Sequence, residues 1–122
     1  AFVQTARGLF ALVVEPDSVE PRDRREVRAH AETLEALLVT WINECLYVHE
    51  VEGFVAREVD LEVFETSPRV GGEPLRLHSF LRGEELDPSR HRLGTIVKAA
   101  TFHQVSVEQV AEGYEARLIV DV

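Results

Sequence analysis

Residues 33–65 read TLEALLVTWINECLYVHEVEGFVAREVDLEVFE, and the hydrophobic period changes inside that stretch. As far as Cys45 the apolar residues Leu34, Leu37, Leu38, Trp41, Ile42 and Cys45 share one helix face, while Thr40, Asn43, Glu44 and Tyr47 gather on another side. Thr33 stands where an N-cap hydroxyl is wanted, and Gly53 closes the segment. Beyond it Val59, Leu61 and Val63 alternate with Glu58, Asp60 and Glu62, the period-two pattern of a half-buried strand.

The same two periods organise the rest of the chain. Phe2, Ala6, Leu9, Phe10 and Val13 mark an earlier helix, which Pro16 ends because the residue before a proline is pushed out of the helical region. No capping residue precedes Phe2, and the chain contains no methionine, so the expectation is that the start of this helix lies upstream. Pro21–Arg25 reads as an exposed approach to a short strand at Val27, Ala29 and Ala31. Leu75, Leu77 and Leu81 alternate with Arg76, His78 and Arg82, with Gly71-Gly72 as a hairpin signal before them. Gly83–Gly94, with Pro88, reads as a loop. Ile96–Phe102, Val105–Val110 and Tyr114–Val120 read as three short strands, the last two separated by Ala111-Glu112-Gly113. Two helices early and an antiparallel sheet late predict one α+β domain over residues 1–122.

The 122 residues carry 22 acids against 13 bases, a formal net charge of −9, and 45% of them are apolar, enough for one core. No apolar run approaches the roughly 20 residues that span a bilayer. A single cysteine, Cys45, allows no internal disulfide and points to a reducing compartment; on the apolar helix face it reads as core filling. Residues 1–65 carry −8, residues 66–92 carry +1 and residues 93–122 carry −2. The middle stretch, with Arg76, Arg82, Arg90 and Arg92, is thus the one basic region. It reads as a solvated strand and loop, with a contact to phosphate or an acidic partner as the alternative. An acidic chain is a poor candidate for gripping a phosphate backbone alone.

No nucleotide-binding glycine motif, zinc spacing or nucleophile elbow occurs. Histidines 30, 49, 78, 91 and 103 never adopt His-x3-His spacing and read as surface or loop residues. His103 stands apart: it follows an apolar strand near a turn, with Lys98 and Thr101 close in sequence. General acid–base work by His103 lacks an identifiable nucleophile. At the other end, Leu118-Ile119-Val120 stops at Asp121-Val122, where two anionic groups stand side by side. Either they are solvated, or they supply part of a cation site, since Ca²⁺ takes about 6–8 oxygens.

The run Arg82-Gly-Glu-Glu-Leu-Asp-Pro-Ser-Arg-His-Arg-Leu-Gly-Thr95, then Val97-Lys98-Ala99-Ala100-Thr101-Phe102-His103, then Leu118-Ile119-Val120-Asp121-Val122, closely resembles the archease family. Leu37–Tyr47 resembles that family's second helix and Ala1–Val13 its first, so the resemblance covers essentially the whole chain. It implies a small acidic, cytoplasmic protein that serves as a non-catalytic cofactor of the RtcB-type 3′-phosphate/5′-hydroxyl RNA ligase in tRNA splicing and RNA repair. Such a protein promotes guanylylation of the ligase and repeated turnover, and meets RNA only through the ligase. The resemblance also implies a divalent cation, commonly Ca²⁺, held by an aspartate of an N-terminal His-Thr-Ala-Asp motif and by the last two residues. By that match Asp121 would bind through its side chain and Val122 through a backbone or terminal oxygen, while Lys98 and His103 are candidate motif positions. The sequence departs from the pattern in two places: the N-terminal strand with its motif is absent, and Thr33 stands where an acidic residue is expected. A chaperone or general protein-binding module is the alternative function, and a small hydrolase using His103 a third.

Overall fold

The computed structural model describes residues 2–65, 75–111 and 113–122, without the side chains of Phe102, His103 and Gln109. Helix α1, Phe2–Val13, buries Phe2, Ala6, Leu9, Phe10 and Val13, the face its spacing predicts. A single 3₁₀ turn at Pro16–Ser18 follows. Strand β1, Asp23–Ala31, leads to helix α2, Leu34–Glu52. Thr33 caps α2, its hydroxyl oxygen accepting the Ala36 N–H at 3.1 Å. Gly53 ends α2 at φ 62°, a left-handed conformation that glycine enters without a Cβ penalty. Strands β2, Phe54–Glu65, and β3, Leu75–Glu85, complete an antiparallel sheet in the order β1-β3-β2. Strands β4, Ala99–Val110, and β5, Gly113–Asp121, form a separate two-stranded sheet. Helix α2 packs on β1 and β4 and α1 on β2 and β5, so the two sheets share the helix pair. This is the expected single α+β domain.

The core is built around α2. Trp41, Leu37, Leu38 and Ile42 are fully buried, and Phe2 stacks against Trp41 with ring centroids 6.1 Å apart. The Trp41 indole N–H donates to Ser79 Oγ at 2.9 Å, and the Ser79 hydroxyl donates to the Val27 carbonyl at 3.0 Å. That relay leaves neither polar group unsatisfied and joins α2, β3 and β1 at one point.

Three segments differ from the sequence expectation. Asp23–Arg25 already belong to β1, with Asp23 and Arg24 exposed as expected. Arg25 finds packing that a charge pattern cannot announce, its guanidinium lying over the Phe54 ring at 4.7 Å. Gly83–Glu85 extend β3 into the expected loop, opposite both Asp23 and Phe54–Ala56. A Cβ at Gly83 would fall 1.8 Å from the Val55 carbonyl oxygen, so this glycine allows close strand approach rather than a turn. Finally, the two expected strands Ile96–Phe102 and Val105–Val110 are one strand with a bulge, and Ile96–Lys98 precede it. Thr101 pairs with Ile119 and Ser106 with Arg117, leaving residues 102–105 opposite Leu118 alone. Gln104 takes φ 56° there, a conformation that costs a non-glycine residue energy and bends the strand. Gly71-Gly72 lies outside the described residues. Among the described residues, no helix is long and apolar enough to cross a membrane.

Candidate functional site

Lys98 and Asp121, distant in sequence, meet where β4 begins and β5 ends. The Lys98 N–H donates to the Asp121 carbonyl at 2.7 Å, and Asp121 pairs with Ala99. The next residue, Ala100, is clasped from the helix side: its N–H donates to Asn43 Oδ1 at 2.7 Å, and Asn43 Nδ2 donates to its carbonyl at 3.2 Å. The Asn43 amide thus serves Ala100 as a neighbouring strand would, closing an edge that β5 cannot reach. Sequence reasoning noticed Asn43 only as part of a polar helix side; its polarity was the signal, and its partner was invisible.

The carboxylate of Asp121 is exposed and Val122 is 70% exposed. His103 belongs to β4, and its side chain lies outside the description. The structure therefore joins Lys98 to Asp121 through the backbone. The cation expectation can be weighed by the donors present. Asp121 and Val122 supply few of the roughly 6–8 oxygens a Ca²⁺ ion takes. Among the described residues no three His, Cys, Asp or Glu side chains gather as a metal site. The described residues do not build a calcium site by themselves.

Beside this strand end lies a cleft of about 320 Å³, lined among others by Val13, His49, Glu50, Leu93, Ile96 and Lys98. Its outer wall is stitched to α1: the Gly94 and Thr95 N–H groups each donate at 2.9 Å, to the Val13 and Leu12 carbonyls respectively. His49 Nδ1 donates to the Phe54 carbonyl at 3.0 Å, which leaves Nε2 as the acceptor nitrogen. Ile96 is 80% exposed and Leu93 also faces solvent, so the cleft has an apolar lip next to one lysine.

A second charged centre, at the end of β3, behaves differently. Glu84, expected in a loop, has a side chain only 3% exposed. Its Oε2 accepts the Glu20 N–H at 2.5 Å and an Arg90 guanidinium N–H at 3.1 Å, while Arg90 also holds Oε1. His91, expected at the surface, has a side chain with 0% exposure. Its Nδ1 accepts the Asp87 N–H at 2.9 Å, so the proton sits on Nε2, 3.3 Å from Glu84 Oε2. The Arg90 hydrogen bonds above all hold the Glu84 carboxyl down to about 2. The Ser89 hydroxyl and N–H hold Asp87 below the usual carboxylate range. The surface expectation failed for His91 because the loop amide of Asp87 occupies its Nδ1 and the buried Glu84 carboxylate stands 3.3 Å from its Nε2, without a hydrogen bond between them. Cys45 is buried as expected, and burial pushes its thiol far above the usual range, away from nucleophilic use.

These features define a small α+β domain with two helices held between two antiparallel sheets and an exposed Lys98–Asp121 strand end. The model of the Archease protein family (MTH1598/TM1083) matches residues 1–122. The chain is 34% identical over 123 residues to the archease of Pyrococcus abyssi, covering 100% of this chain and 83% of that protein. It is 35% identical over 120 residues to the archease of Methanopyrus kandleri, covering 98% of this chain and 82% of the relative. The solution structure of Methanobacterium thermoautotrophicum protein 1598 superposes with a TM-score of 0.75 at 26% identity, covering 99% of this chain and 82% of that one. The chain belongs to the archease family.

Proposed function

We propose that this protein acts in the cytoplasm as a non-catalytic cofactor of an RtcB-type 3′-phosphate/5′-hydroxyl RNA ligase, promoting ligase guanylylation and multiple turnover in tRNA splicing and RNA repair. The observation that carries this reading is the family match along all 122 residues. Geometry supports it at the strand end: Asn43 and β5 fix the backbone on either side of Ala100, so that Lys98 and the Asp121 carboxylate are presented from a rigid frame. The acidic balance of the chain suits docking on a basic, RNA-binding enzyme, where complementary charge raises association rate and specificity. In this reading Asp121 and Val122 give oxygens to a divalent cation that donors outside the described residues complete. Lys98 orients the same strand end toward the ligase, and His103 is a further candidate contact.

The test is multiple-turnover ligation by the cognate ligase with the wild-type protein and with Asp121→Ala. Stimulation by the wild type and its loss in the variant are the expected results. Full stimulation by Asp121→Ala removes the strand end from the mechanism. Suppression of aggregation for unrelated clients, with no effect on ligation, would favour the chaperone reading instead.

A further inference from the structure

The bulge divides β4, and the division leaves the strand end weakly tied to the rest of its sheet. Ala99, Ala100 and Thr101 pair with Asp121, Val120 and Ile119 before the register shifts, and pairing resumes at Ser106 with Arg117. Beyond those pairs, the Lys98 N–H reaches the Asp121 carbonyl. A ladder this short, bounded by a bulge on one side and by the end of β5 on the other, opens more easily than a long one.

Side-chain packing specifies this register poorly. Ala99 and Ala100 carry the same methyl group, so a slip by one residue puts one alanine where the other stood. Val97, buried just before the strand, sets its depth, but apolar burial has no direction along the chain. Asn43 supplies what packing lacks. Its amide finds an N–H and a carbonyl on the same residue, Ala100, at 2.7 and 3.2 Å. Ala100 is buried, so water replaces these two bonds only if the strand opens. Asn43 also follows the fully buried Trp41 and Ile42 on α2, so the clasp ties the strand end to the centre of the core.

We propose that Asn43 is a positioning residue for the strand-end site: by pinning Ala100 it sets the register that brings Lys98 against Asp121, and so keeps the site in the form its partner binds. Its amide acts through the backbone, on the residue that pairs with Val120 next to Asp121. Without that amide the strand end exchanges between the paired form and opened or slipped forms. A partner that binds the paired form then meets a smaller competent fraction. Its apparent affinity falls by that fraction, while the effect at saturation is unchanged. The docking consequence rests on the ligase reading, whereas the register claim is a property of the isolated chain.

Two measurements on the full chain test this, with urea denaturation confirming that each variant is folded. The first is amide hydrogen exchange followed by NMR. The Lys98 N–H is bonded to Asp121 and not to Asn43, yet in Asn43→Ala it should exchange about tenfold faster, as Ala100 does. Asn43→Asp keeps an acceptor for the Ala100 N–H and loses the donor, so it should fall between, and it carries the comparison should Asn43→Ala unfold. The second is multiple-turnover ligation by the cognate ligase, titrated with each protein. Asn43→Ala should raise the half-saturating concentration about tenfold and leave the plateau unchanged. Ser79→Ala, which removes the acceptor of the buried Trp41 N–H, is the control: it lowers stability away from the strand end and should keep the wild-type half-saturating concentration. Lys98 exchange in Asn43→Ala within about twofold of the wild type overturns the proposal. So does an unchanged half-saturating concentration, or one that Ser79→Ala raises equally. Should the wild type itself fail to stimulate the ligase, the ligase reading falls, and the exchange rates alone decide for or against Asn43.

Discussion

Glu84 and Asp121 are both carboxylates at the end of a β-strand, and the fold treats them in opposite ways. Glu84 is enclosed: a backbone N–H, the Arg90 guanidinium and the His91 imidazole surround its two oxygens. Asp121 contributes only its backbone to the fold, pairing with Ala99 and accepting from Lys98, while its carboxylate faces solvent. A carboxylate whose oxygens are all engaged within the chain belongs to the structure. One left open on a rigid strand end is placed to meet something else. Two acids at strand ends thus carry different duties, and the polar run around Glu84 and the apolar run around Asp121 would have suggested the reverse exposure.

The largest effect should fall on the closed centre. Glu84→Gln weakens the charge-assisted hydrogen bonds that Arg90 and the Glu20 N–H make to a buried carboxylate, and should lower stability by about 2–3 kcal/mol. Urea denaturation measures this, and a loss below about 1 kcal/mol would break the contrast with Asp121. The same centre predicts a pH window. The Glu84 carboxyl sits at about 2 when folded and returns to its ordinary 4.5 when unfolded. Because the folded value is the lower one, its contribution is fully present above about pH 4.5 and fades as pH falls toward 2. Denaturation curves across that window should therefore be steeper in pH for the wild type than for Glu84→Gln.

Asn43→Ala should come next. It leaves the Ala100 N–H and carbonyl without their helix partner and should cost about 1–3 kcal/mol. Hydrogen exchange at the Ala100 amide should accelerate in that variant, while the Trp41 region keeps its protection. Smallest of all, Asp121→Ala should change stability by no more than about 0.5 kcal/mol, the usual range for an exposed position. Paired with loss of ligase stimulation, that small change would sharpen the comparison; a large destabilisation would place Asp121 beside Glu84 as a structural acid.

Much of the fold was legible because it follows from periodicity. Both helix faces, the Thr33 cap, the Gly53 stop and the alternation in β3 are consequences of neighbours in sequence. A bulge between Leu61 and Val63, by contrast, breaks the alternation in β2 and leaves Val63 exposed. The errors occurred where neighbours are misleading. Gly83 looks like a loop residue until Val55 is seen packed against it, and His91 looks like a surface histidine until Glu84 and Asp87 enclose it. The β4 bulge escaped notice because Gln104 carries no local sign of a left-handed backbone, and two apolar runs were read as two strands. Lys98 and Asp121 were singled out by resemblance and the fold brings their backbones together, whereas Asn43 needed its long-range partner Ala100.

By itself the sequence determined what depends on residue order: the α+β class, the helix faces, the burial of Cys45 and membership in the archease family. Tertiary structure alone decided which charges are closed and which are open. It buried Glu84, exposed Asp121, and set Arg24 of β1 across from Arg82 of β3. The physical reason is that the fate of a charge depends on desolvation and on partners within a few ångströms, and those partners come from distant segments that only folding brings together.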